Sequence, residues 1–86
     1  MAFNINKSSR NEFYVTPLRR NGVVATVRDD LLVRSTPATG SSANIFAHLP
    51  TGTPVFVIGQ YSADWYAIEQ PGRTGFVASR YIVLLP

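Results

Sequence analysis

Apolar and polar residues alternate with a period of two along much of this chain, in short runs cut by Gly, Pro, Asn, Asp and Ser, with no sustained helical period. That spacing predicts an all-β fold. Residues 23–28 read as the first barrel strand, Asp29-Asp30 as a turn and residues 31–34 as the second strand. Residues 36–44 carry Pro37, Gly40 and two serines and read as a loop. Residues 45–49 form a strand, Pro50-Thr51-Gly52 a turn and residues 54–61 the next strand. Ser62-Ala63-Asp64 then reverses the chain into residues 65–70, and Pro71-Gly72-Arg73 reverses it into residues 74–78. A single 3₁₀ turn at residues 79–81 precedes a last strand at 82–85. Strands spaced about eight to twelve residues apart, with turn chemistry between them, are what a small barrel requires.

The first residues differ in kind. Residues 1–12 are rich in Asn, Ser and charge and show no period, so they read as an extended arm. Phe13-Tyr14-Val15-Thr16 is a strand-favouring run stopped by Pro17, suited to pair with a sheet edge in its own molecule or in a neighbour. Arg19-Arg20-Asn21-Gly22 reads as a turn, because Asn-Gly supplies the positive φ angles of a tight reversal. The expected division is an extended basic arm over residues 1–22 and a barrel over residues 23–86.

Parity assigns the faces of the strands. Val55 and Val57 share one side of their strand, and Tyr66 and Ile68 share one side of theirs. With Leu31, Val33, Ile45, Leu49 and Val77 they form the predicted core. Phe56, Trp65 and Phe76 then point away from it, and rings on an outer face require a reason.

Four pieces stand in one order: Leu31-Leu32-Val33-Arg34-Ser35-Thr36-Pro37, Asp64-Trp65-Tyr66-Ala67-Ile68, Gly72-Arg73-Thr74-Gly75-Phe76-Val77 and Ala78-Ser79-Arg80-Tyr81-Ile82. This order resembles the bacterial SH3 (SH3b) domain, whose pattern runs L-N-V-R-S-G-P, W-Y-x-V, G-x-x-G-W-V and S-x-Y-L. The resemblance spans residues 25–82. It implies a small SH3-like barrel that binds and does not catalyse, with Arg34 bracing a loop through hydrogen bonds to backbone carbonyls or a carboxylate. It also implies an aromatic floor for a ligand groove, here Trp65 and Phe76 with Tyr61 and Tyr81. Covering the barrel ends or docking the leader is an equal alternative for these rings. Phe76 stands where the family most often carries Trp, Leu32 where it often carries Asn, and Thr36 where it usually carries Gly. The last two departures border the loop that lies near the ligand in wall-binding members.

Charge narrows the partners. The formal net charge is +3, and all of it lies in the leader, where Lys7, Arg10, Arg19 and Arg20 face Glu12 alone. From residue 25 onward Arg28, Arg34, Arg73 and Arg80 are matched by Asp29, Asp30, Asp64 and Glu69. The barrel therefore carries no uncompensated basic surface of the kind nucleic acid requires. Without cysteine there is no disulfide and no thiolate, and with His48 as the single histidine neither a His/Cys metal site nor a serine triad is expected. Asp29-Asp30 reads as turn chemistry, since adjacent side chains diverge. No catalytic residue, cofactor or metal is expected. No apolar run approaches the roughly twenty residues that span a bilayer, so no membrane partner is expected.

Two functions follow. The first is a structural or assembly subunit of a larger particle such as a phage virion, whose arm contacts neighbouring subunits in an oligomer through Phe13, Tyr14, Arg19 and Arg20. The second is recognition of bacterial cell-wall peptide (peptidoglycan) through Tyr61, Trp65, Phe76 and Tyr81. The sequence also predicts synthesis in the cytoplasm without a signal peptide, a release by lysis being consistent with a virion protein.

Overall fold

The computed structural model describes residues 3–4 and 13–86, with side chains from residue 13 onward. The strands are β1 (Phe3–Asn4), β2 (Tyr14–Val24), β3 (Leu31–Arg34), β4 (Ile45–Leu49), β5 (Pro54–Ser62), β6 (Trp65–Gln70), β7 (Arg73–Ala78) and β8 (Ile82–Leu84), with a 3₁₀ turn at Ser79–Tyr81. They pair in the order β1-β2-β5-β6-β7-β3-β4, and β8 joins β2. Every pairing is antiparallel. The result is the expected all-β, SH3-like barrel. The extended arm expected over residues 1–12 lies outside the described residues, apart from Phe3–Asn4, which pairs with Tyr14 and Val15.

Two expectations near the start are corrected. The turn predicted at Arg19-Arg20-Asn21-Gly22 is absent, because β2 runs unbroken through these residues. Asn21 faces Phe56 and Gly22 faces Val55 on one side, while Gly22 faces Leu84 on the other. Pairing along both edges overrides the local preference of Asn-Gly, and the glycine has a different use. A Cβ on Gly22 would lie 3.0 Å from Cγ2 of Ile82, so its missing side chain makes room for a core residue. The strand predicted over residues 23–28 stops at Val24. There the N–H of Val24 donates to the Thr53 carbonyl at 2.9 Å, its carbonyl accepts from Gly52, and β5 begins only at Pro54. Past this point the N–H of Ala25 donates to the Tyr81 carbonyl at 2.8 Å and that of Thr26 to Thr51 Oγ1 at 3.1 Å, none of the described strands continues the ladder, and the chain bends with Val27 fully exposed.

The core has two parts. Val24, Leu31, Val33, Val55, Val57, Ile68, Val77 and Ile82 form the main cluster. Six of the nine predicted core residues are among them, while Leu49 and Tyr66 pack at its margin and Ile45 is half-buried. Val15, Ala67 and Phe76 form a second cluster, with Phe13, Ile58 and Trp65 against it. Ala67 and Ile68 are both buried, as are Phe76 and Val77, so β6 and β7 are covered on both faces. The start of β2 forms the second cover.

That cover crosses β5 at Gly59. The pairs are Thr16 with Gln60 and Pro17 with Gly59, after which the register slips before Arg20 meets Val57. Arg19 sits in this slip with φ 53°, a bulge of the kind that re-aims a strand. A Cβ on Gly59 would stand 2.5 Å from the Thr16 carbonyl oxygen and 2.9 Å from Cγ2 of Val15. Only glycine leaves space for the crossing.

Candidate ligand groove

Residues 26–32, Arg34, residues 37–39, Asp64, Trp65 and residues 78–81 line a groove of about 740 Å³. Trp65 and Tyr81, both half-buried, line it with Leu32 and Pro37. Trp65 opens β6 opposite Ala78 of β7, so the tight turn before it places the ring at the barrel's end. One part of the ring packs against the second cluster while the rest is open to the groove. Tyr81 closes the 3₁₀ turn and rests on the main cluster, with the Arg80 guanidinium 4.9 Å from its ring centre. A cation over a ring face is a favourable contact that stiffens both side chains.

Hydrogen bonds hold the walls. The N–H of Ser79 donates to the Asp64 carbonyl at 2.8 Å and its hydroxyl donates to the Ala63 carbonyl at 2.7 Å, fastening residues 62–64 to the 3₁₀ turn. Arg34 Nη1 donates to the Ser41 carbonyl and to Asn44 Oδ1, both at 2.9 Å. Arg34 thus braces a loop, as the resemblance implied, but its side-chain partner is an amide where a carboxylate was an alternative. Asn44 Nδ2 in turn donates to Thr36 Oγ1 at 2.8 Å and to the Ala38 carbonyl at 2.9 Å. Asn44 went unnoticed in the sequence because an Asn in a polar loop is ordinary; only its position ten residues after the arginine links the two.

The rim carries Arg28, Arg34 and Arg80 together with Asp29, Asp30 and Asp64. The signs are balanced and close together. Such a lining suits a ligand that brings both an ammonium and a carboxylate, and disfavours a polyanion. Among the described residues no group of three His, Cys, Asp or Glu converges on a metal position, and His48 lies exposed on β4.

The four rings expected to share one floor are divided between two places. Trp65 and Tyr81 line the groove. Phe76 is fully buried in the second cluster, which corrects its reading as an outward ring available to a ligand. Its parity is as predicted, away from the main core, but the start of β2 covers that face. Phe76 meets Phe13 at 5.4 Å and Tyr61 at 6.1 Å between ring centres, and Phe13 meets Tyr61 at 5.9 Å. All three contacts are edge-to-face, the arrangement the ring quadrupoles favour. Tyr61 remains 41% and Tyr14 53% exposed. Arg19 and Arg20 are exposed too, and Arg20 donates to the Leu85 carbonyl at 2.8 Å. None of these four lines the groove. The alternative in which the aromatic face docks the leader therefore holds for Phe76 and Tyr61.

The small barrel thus carries a groove floored by Trp65 and Tyr81 with hydrogen-bonded walls, and among the described residues no polar or charged side chain is buried. The family model of the bacterial SH3 domain matches residues 29–83, well over half of the chain. The chain belongs to the bacterial SH3 domain family. No curated protein and no solved structure matches it.

Proposed function

We propose that this chain is a non-enzymatic recognition module that holds an extended peptide in the groove floored by Trp65 and Tyr81, with bacterial cell-wall peptide as the ligand class. The observation that carries this reading is the groove itself: two half-buried rings at its base, walls fixed by Arg34, Asn44 and Ser79, and a rim of mixed charge. Rings of this kind grip a peptide by stacking and area burial, while adjacent charges of both signs orient its termini or side chains. Trp65 is the only tryptophan, so its fluorescence reports on the groove without labelling. The full chain is expected to sediment with purified cell walls, and soluble wall peptides are expected to perturb Trp65 emission. A Trp65→Ala protein is expected to stay folded and to remain in the supernatant; a folded Trp65→Ala protein that still sediments overturns the assignment.

A second reading, as a structural subunit of a larger particle such as a virion, draws on one surface. Val83 and Leu85, at the chain's end beside β2, are 51% and 43% exposed, and apolar side chains kept on an outer face suit contact with another subunit. This reading ranks second because residues 16–22 of the arm, expected to reach a neighbour, are paired with their own barrel. Its test is the native mass of the full chain. The truncation that asks whether the arm contributes must stop at residue 12, since removing residues 14–22 takes away most of β2.

A further inference from the structure

Residues 13–17 lie like a strap across the outer face of β5, β6 and β7. We propose that the same site is filled by residues 13–17 of a second copy, two chains trading straps to form an exchanged dimer. This does not rest on the groove reading, because none of residues 13–17 lines the groove.

The main cluster takes in no residue before Leu18, and the family match begins at residue 29. The barrel core thus closes without the strap. The strap's own contacts form a separate unit: Val15 against Ala67 and Phe76, Phe13 edge-on to Phe76 and Tyr61, and a short antiparallel pairing of Thr16 with Gln60 and Pro17 with Gly59. β1 pairs only with this part of β2 among the described residues, so it travels with the strap. Between strap and barrel lies a hinge. The register slips between Pro17 and Arg20, and Arg19 is held at φ 53°. A residue with a side chain disfavours that left-handed conformation about tenfold or more relative to an extended one. Straightening the hinge removes this strain and lifts the strap from its own barrel. Every contact the strap loses is then available, unchanged, on a second copy, which is why exchange of an identical element is a low-cost route to a dimer. The second copy is the occupant the site fits by its chemistry: a ring at 13, a compact apolar side chain at 15 and a backbone lying close over Gly59.

The full chain contains no cysteine, so a cross-strand pair reports the exchange directly. Thr16→Cys with Gln60→Cys places two thiols on partner residues of β2 and β5. After oxidation, non-reducing electrophoresis separates a disulfide within one chain from one between two, and light scattering gives the native mass. A between-chain fraction that rises with protein concentration is expected. In that background Arg19→Val, whose β-branched side chain is poorer still at positive φ, is expected to raise the dimer's association constant, and Arg19→Gly, which accepts the bent hinge freely, to lower it about a hundredfold, about tenfold for each of the two hinges. A chain that stays monomeric at all concentrations with Arg19→Val, or a dimer whose disulfides all lie within chains, overturns the proposal. Arg19→Gly suits either hinge backbone and folds in both cases; a dimer fraction equal to that of the parent chain also overturns it.

Discussion

Replacing Gly59 by Ala tests the packing of the strap with a single methyl group. The added carbon would stand 2.5 Å from the Thr16 carbonyl oxygen, 2.9 Å from Cγ2 of Val15 and 3.1 Å from the Thr16 carbonyl carbon. Two of these three neighbours are backbone atoms of a paired strand, so relief requires the strap itself to move. Overpacking of this kind costs about 1–3 kcal/mol. A strap that lifts far enough to expose Val15 forfeits a similar amount, about 1.5–3 kcal/mol for one fully buried valine. The reduced freedom of the unfolded chain returns about 0.4–1 kcal/mol. A net loss of about 1–2 kcal/mol is expected, and with a urea slope of about 1–1.5 kcal/mol/M for a chain this small the midpoint falls by about 1 M. Gly40→Ala is the control, because nothing lies within 4 Å of its added carbon and its loop is exposed; with only the unfolded-chain term acting, its midpoint is expected to rise slightly. Hydrogen exchange locates the effect: amides of residues 14–18 should lose protection in Gly59→Ala while those of β6 and β7 keep theirs. Equal midpoints for the two variants, with unaltered exchange over residues 14–18, would refute the close crossing.

Two further outcomes follow from the same contacts. Asn44→Ala removes the donors to Thr36 and Ala38 and one acceptor of Arg34, all partly buried or at the loop surface; a loss of about 1–3 kcal/mol is expected, together with faster limited proteolysis within residues 36–44 and weaker wall sedimentation. Phe76→Ala empties a fully buried position and should cost about 3–5 kcal/mol, whereas Phe56→Ala, at a half-buried position, should cost clearly less; thermal unfolding of the two side by side checks the ranking, and equal losses would contradict the burial of Phe76.

The second half of the chain was legible because its local signals and its long-range pairing agree. Asp64 and Gly72 sit in reversals that also bring Trp65 opposite Ala78 and Gln70 opposite Arg73, so turn chemistry and ladder point the same way. The Arg34 brace was legible too, through the resemblance, since an arginine at the edge of a polar loop has few other uses. The first part was not, and the reasons differ by residue. Asn21-Gly22 has the composition of a turn, but β5 and β8 pair on either side of it, and no local pattern encodes two distant strands. Phe76 has the parity of an outward residue, and only the crossing of the strap at Gly59 turns that outer face into a second core. The candidate site inherits the same split. The resemblance named all four rings together; Trp65 and Tyr81 line the groove, whereas Phe76 and Tyr61 lie under and beside the strap.

The most direct measurement of the central claim is an amide chemical-shift map of the ¹⁵N-labelled full chain titrated with purified soluble wall peptides. The groove reading expects the largest shifts at residues 26–32, 36–39, 64–65 and 78–81, with the Trp65 indole N–H among them. Shifts confined to β2 and Tyr61, or none at saturating peptide in a folded chain, would contradict it.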